Sequence, residues 1–350
     1  MDYTELNKLK EEIKLTPLVE TIRLLDISDE EYFSSSYSDY ISNSRLSLIN
    51  PDQGGSVNQY IEGFGGSSFS DAFYFGSAVH GMVLQPNDYY IERNTSRPTA
   101  KLGFMIDEIL RYRQKGFSIY NAIIAASDKV DYYKGKVTYK LIKETLIKKG
   151  FEYYWFKHNY VKIDGKEPIF LNINDQLRLD NCIDSVHKNR IIQKVLHPGW
   201  ICEEPQSMNE VTLLMDVKAE CYGKTYIVKL KAKLDNLVID SENETLYLND
   251  LKTTGKFISK FGESFYKFHY ARQMAMYFYM LRIYVAQNYD FIPKHFYGNM
   301  MLVSTIMDNQ SGVFKMNKTH QKQGMDEFSY LLRLVIKHCY AKRDFEDLSL

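Results

Sequence analysis

The sequence is poor in the features that would fix a class at once. Its four cysteines (Cys182, Cys202, Cys221, Cys339) are scattered, with no CxxC pair. That spacing fits neither a zinc nor an iron–sulfur pattern, and a disulfide framework is not expected in a chain of this size without an export signal. No Pro/Ser/Gly linker separates two halves and no repeat recurs. No apolar run reaches membrane-spanning length. The opening MDYTELNKLKEEIK is charged and reads as a short amphipathic helix, not a secretory signal. Lys plus Arg and Asp plus Glu balance at 44 each, so bulk charge argues neither for nor against a polyanionic partner. Such a partner would need a local basic surface. What these absences leave is a globular protein, expected to be cytoplasmic and without a membrane partner, 45% hydrophobic and 25% charged.

What is present is ordered by period. Residues 4–13 are expected to be helical, and NPDQGGSVNQYIEGFGGSSFSD (50–71) reads as a loop or flap. AFYFGSAVHGMVLQP reads as a helix ended by Pro86. Two or three helices are expected over 101–150, and a long one over about 173–196. The period then turns alternating: EVTLLMDVKAECYGKTYIVKLKAKLDNLVID and TLYLNDLKTT read as three or four antiparallel strands. A helix apolar on nearly all sides follows at about 264–286, then a strand in HFYGNMMLVSTIM and a closing helix in DEFSYLLRLVIKHCYAKRDF. This order predicts an α/β or α+β fold with a central mixed sheet flanked by helices. One domain is expected over 1–350: a helical extension to residue 40, a core over 40–305 and a helical closure over 306–350.

The chemistry gathers at NDLKTTGKF, residues 249–257. If SENE is a symmetric turn, Asp240 pairs with Thr245 and Asp235 falls opposite Asp250. Cβ atoms so placed are ~5 Å apart, close enough for two carboxylates to hold one divalent cation. Lys252 shares that face by the period of two. A solvated face of alternating ion pairs is the competing reading of the same residues.

Five segments in order resemble the RecB-type and exonuclease VIII-like (RecE-like) branch of the PD-(D/E)XK nuclease superfamily, over roughly residues 40–305. FGSAVHGMVLQP is similar to the family's helix with Gly-x-x-x-His, which selects His80. NEVTLLM selects Glu210, KAKLDNL selects Asp235, LNDLKTT selects Asp250 and Lys252, and HYARQMAMY selects Gln273 and Tyr277. Ala232 and Lys233 depart from the family's usual Gly and Arg. The resemblance implies a restriction-endonuclease-like core and a metal-dependent deoxyribonuclease. Mg²⁺ or Mn²⁺ would be held by His80, Asp235, Asp250 and the Leu251 carbonyl, with Glu210 assisting and Lys252 orienting the nucleophile. Gln273, Tyr277, Arg272 and Lys233 would support these groups or contact DNA phosphates, as would Lys229, Lys231 and Lys256. The resemblance further implies an exonuclease that resects duplex DNA ends to leave single strands for recombination. A single-strand annealing partner, a homo-oligomer and a phage or prophage source would be typical. No iron–sulfur cluster is expected. The alternatives are a silent DNA-binding or structural module of the same fold, an endonuclease or Cas4-like processing enzyme, and a nuclease acting on RNA.

Overall fold

A computed structural model describes residues 2–63, 70–132, 139–197, 206–306 and 309–341. Its strands are β1 (Ile13–Leu25), β2 (Tyr89–Glu92), β3 (Glu167–Phe170), β4 (Gln206–Cys221), β5 (Lys224–Asp240), β6 (Thr245–Thr254), β7 (His295–Ser304) and β8 (Ser311–Lys315). Where the sequence predicts one domain, the chain divides into two compact units. The first takes in Met1–Gly65, Lys188–Ile306 and Gln310–Leu350, and the second Gly66–His187 and Met307–Asn309.

The first unit is built on a six-stranded mixed sheet in the order β1-β4-β5-β6-β7-β8. The sequence predicts the meander β4-β5-β6 as antiparallel, and it is. The helix Tyr270–Asn288 then returns the chain so that β7 lies parallel to β6. A parallel neighbour requires such a crossover, and a helix apolar all round is the natural one because it is buried. Met274, Met276, Met280 and Leu281 of that helix are fully buried in the core with Leu230, Leu237, Leu248 and Met300 from the strands. The helix Lys318–Val335 packs beside it, and its last turn widens into a π-helix over Ile336–Ala341.

Two expectations change. The helical extension of residues 1–40 holds only one helix of normal length, Tyr3–Glu12, and β1 then forms an edge of the sheet against β4. Pro17 masks this strand in the sequence, but an edge strand tolerates proline because the missing N–H is not needed. The helix expected over about 173–196 is two, Ile173–Lys188 and Arg190–Leu196, because the Asn189 side chain caps the backbone N–H groups of Ile191 and Ile192. Asn there restarts a helix by supplying an acceptor to donors that have no intrahelical partner. Of the expected flap over 50–71, residues 64–69 lie outside the described residues; what precedes them is a 3₁₀ turn and the short helix Val57–Glu62.

The second unit is helical apart from the parallel pair β2 and β3. Met105, Ile109, Ala122, Ile123 and Ile142 form one small core and Ile106, Leu110, Tyr153 and Phe170 another. Arg97 is buried between the carboxylates of Asp107 and Asp71, with its guanidinium 4.1 Å from the Tyr74 ring centre. Burial opposes its charge, but Asp107 and the neighbouring phenols outweigh it and hold the guanidinium above its ordinary pKa.

One polar feature crosses the main sheet. Asn236 donates to Asn209 (2.7 Å), Asn249 to Asn236 (2.6 Å) and Asn299 to Asn249 (2.8 Å), linking β4, β5, β6 and β7 by side chains at matched register positions. Asn249 also donates to the carbonyl of Val195. A buried amide left without partners costs roughly 1–3 kcal/mol per orphaned group. Asn249→Ala orphans several, so its denaturant midpoint should fall by the equivalent of about 3 kcal/mol at an unchanged m-value. A loss under about 1 kcal/mol would mean that the amides do not fix the register.

Candidate metal centre

Strands β5 and β6 pair from Asp240↔Thr245 to Asn236↔Asn249 and then part. Beyond Asn249, β6 stays with β7 as far as Thr254. On the β5 side, Leu230 is met by Ile41, which accepts and donates backbone bonds with Lys231 and Lys229. Between the Ile41 bridge and the β6 ladder, no described strand pairs with this edge of β5 at Asp235.

Three carboxylates are brought into one row at this fork. Asn209↔Asn236 and Val211↔Leu234 bracket Glu210 against Asp235, and Asp235 and Asp250 each lie one residue past the last β5–β6 pair, Asn236↔Asn249. Carboxylate oxygens of Glu210 and Asp235 lie within 4.8 Å of each other. Glu210 leaves the extended conformation, at φ 52°, and drops out of the ladder. A non-glycine residue held there costs on the order of 1–3 kcal/mol, and such strain gathers at functional sites. Asp235 takes the place of a ladder carbonyl: its Oδ2 accepts the Leu251 N–H at 2.7 Å. The N–H and C=O of one residue leave an extended strand on the same edge, so the Leu251 carbonyl faces the fork as well.

Asp250 is only 2% exposed and is gripped from two sides. Gln273 Nε2 donates to its Oδ1 at 2.7 Å, and Lys252 Nζ lies 2.6 Å from its Oδ2. The Lys252 ammonium also sits 5.3 Å from the centre of the Tyr270 ring. Burial works against its charge, yet Asp250 and then Asp235 overcome this and hold its pKa above the ordinary lysine value. Tyr277, one turn on from Gln273, is buried; burial first, and then Tyr32, Asp250 and Asp235, push its phenol well above the usual range, against a hydrogen bond with Gln273. It is therefore a neutral hydroxyl beside the acids.

The donor set suits a hard divalent cation. Three carboxylates and a backbone carbonyl are oxygen ligands of the kind that Mg²⁺ and Mn²⁺ take. The row faces two ammonium groups, Lys252 and Lys233, and Lys233 also serves Asp29 as well as Glu210. Negative charge is thus in excess, and like charges this close favour a bound cation.

The structure gathers Glu210, Asp235, Asp250, Leu251, Lys252, Gln273 and Tyr277 around the fork. His80 stands half-buried on the helix Asp71–Leu84 of the second unit. Arg272 is corrected. It is fully buried, and its guanidinium is spent on Asn43, Ser47, Gln53 and Glu327, so it pins the 43–53 segment and cannot reach a phosphate. Of the β5 lysines, the buried Lys231 is corrected for a similar reason. Residues 28–41 cross their face, so that Lys229 pairs with Asp39, Lys231 donates to the Tyr32 carbonyl and Lys233 pairs with Asp29. Lys256 is exposed and pairs with Glu263. Sequence reasoning missed the asparagine row, although Asn209, Asn236 and Asn249 each adjoin one of the acids.

No protein-family model and no curated protein matches the chain. Among solved structures, a crystal structure of a candidate exonuclease from Eubacterium rectale resembles it at 12% identity, with a TM-score of 0.44, over 89% of this chain and 87% of that one.

The Lys252–Asp250 pair gives a direct test of the site's electrostatics. Removing one partner of a buried pair typically costs 3–5 kcal/mol, because the other charge is left uncompensated. Lys252→Met should therefore destabilise by about that much in chemical denaturation, and Lys252→Met with Asp250→Asn should recover most of it. Equal losses in the single and double variants would show that the two charges are not coupled.

Proposed function

We propose that the chain is a metal-dependent nuclease that hydrolyses phosphodiester bonds, and that its substrate is duplex DNA attacked from an end. The observation that carries this reading is the row Glu210–Asp235–Asp250 beside Lys252, where β5 and β6 part. Asp235, Asp250 and the Leu251 carbonyl would hold Mg²⁺ or Mn²⁺, and His80 is a further ligand by the resemblance alone. The bound cation supplies Lewis acidity and a water of lowered pKa.

The protein's own groups set the conditions for attack. Gln273 and the Leu251 N–H fix one oxygen each of Asp250 and Asp235, so the acids meet the substrate already oriented. The Lys252 ammonium, kept protonated, can hold the nucleophilic water by donating to it and offset charge that grows on the non-bridging phosphate oxygens. Glu210, half-buried and shared with Lys233, would accept a proton from that water or steady it. Resection of DNA ends, a single-strand annealing partner and a homo-oligomer belong to this proposal through the family resemblance.

The test is cleavage of linear and closed-circular duplex DNA with Mg²⁺, Mn²⁺ or EDTA, beside Lys252→Ala. The expected result is metal-dependent loss of linear DNA alone, reduced at least ~10²-fold in the variant, in line with removal of one transition-state charge. Cutting of the circle would make it an endonuclease with the same chemistry. DNA binding without any cleavage would overturn the enzyme reading in favour of a silent module.

A further inference from the structure

A second surface is found on the second unit. In the second unit the helices Tyr139–Lys149 and Phe151–Asn159 follow one another across Gly150. The bonds Gly150 N–H to Leu146 O and Tyr154 N–H to Gly150 O, 2.9 Å each, carry the helical turn through the junction. Gly150 is needed there because a Cβ would come within 2.6 Å of Ile106 Cδ1. The inward side holds the buried Ile142 and Tyr153.

The outward side is unusual. Lys143, Ile147, Phe151 and Trp155 recur at intervals of four, which places them along one face. Ile147 is 58% exposed, and Phe151 and Trp155 are each 55% exposed. The two rings lie 6.3 Å apart and 27° from parallel, with their outer surfaces in water. Lys143 and Lys148 are exposed on the same side. Side chains 140–156 bring four lysines against two glutamates, Glu144 and Glu152, in a chain of zero net charge.

An exposed aromatic cluster marks a binding surface, and its fringe says for what. Protein–protein interfaces are depleted in lysine. Aromatic platforms edged by cations are what unstacked bases and their phosphates take, since every base has a face to stack. We propose that this face binds single-stranded nucleic acid, with bases stacked on Phe151 and Trp155 and phosphates along Lys143 and Lys148. The binding requires neither metal nor cleavage and stands independently of the nuclease reading.

Two tryptophans, Trp155 and Trp200, are present in the chain, so a Trp200→Phe variant reports from Trp155 alone. Titration with a dT12 oligonucleotide in EDTA should quench its emission saturably, as stacking on a thymine does, and raise the anisotropy of a labelled strand. In that background Phe151→Ala should weaken binding about tenfold, equivalent to ~1.4 kcal/mol. Lys143→Gln with Lys148→Gln should reduce the slope of log K against log salt by about 1.4. An absence of quenching, or affinities unmoved by Phe151→Ala, would overturn the proposal. So would equal binding of a 12-base-pair duplex. Concentration-dependent dimerisation lost on Trp155→Ala would overturn it too, by making the face a contact between copies. EDTA excludes catalysis from every arm, so an inactive nuclease assay and a failed strand titration remain separate results.

Discussion

The register of β5 against β6 is the constraint on which the site depends. A slip by one residue would turn Asp235 to the opposite face and separate it from Asp250. Two devices hold that register. The four-residue turn after Asp240 is stapled by the Asp240 side chain, which accepts from the backbone and the amide of Asn243. The buried Asn236, Asn249 and Asn299, with the exposed Asn209 at the end of the row, then tie β4, β5, β6 and β7 together on the face opposite the acids. An apolar row would pack as well, but only amides with directional bonds discriminate one pairing from its neighbours.

The same strands that are locked at one end come apart at the other, and this parting frees the acids from the ladder. A continuous ladder would spend the Leu251 N–H and the edge of β5 on each other. Instead the N–H is given to the Asp235 carboxylate, and the acids converge where no backbone pairing competes. The cost is borne by Glu210 in its left-handed conformation and by Asp250, an acid almost without solvent. Lys252 and Gln273 offset the second cost, and they come from elements the core already fixes: β6, central in the sheet, and the buried crossover helix.

Much of this was legible in the sequence because it follows from the period of two. The DxK triplet, the SENE turn and the alternation in KLKAKLDNL were enough to align Asp235 with Asp250 and to seat Lys252 on their face. The resemblance then drew in Glu210, Gln273 and Tyr277 from segments far apart in the chain. What escaped was tertiary. Nothing in RQMAMY distinguishes an arginine that grips a phosphate from one sealed under residues 43–53. The alternating lysines of β5 read as solvent-facing because the segment that covers them lies some 190 residues earlier. β1 was hidden by Pro17, which an edge position permits. The left-handed Glu210 has no signature, since glutamate rarely adopts that conformation.

The central claim is that the fork between β5 and β6 is a divalent-metal centre. The most direct measurement is the anomalous scattering of Mn²⁺ in crystals grown with the ion. The account predicts a peak about 2.0–2.3 Å from carboxylate oxygens of Asp235 and Asp250 and from the Leu251 carbonyl, absent in crystals of Asp235→Asn. A well-ordered fork without a peak at millimolar Mn²⁺, or a peak elsewhere that Asp235→Asn leaves in place, would contradict it.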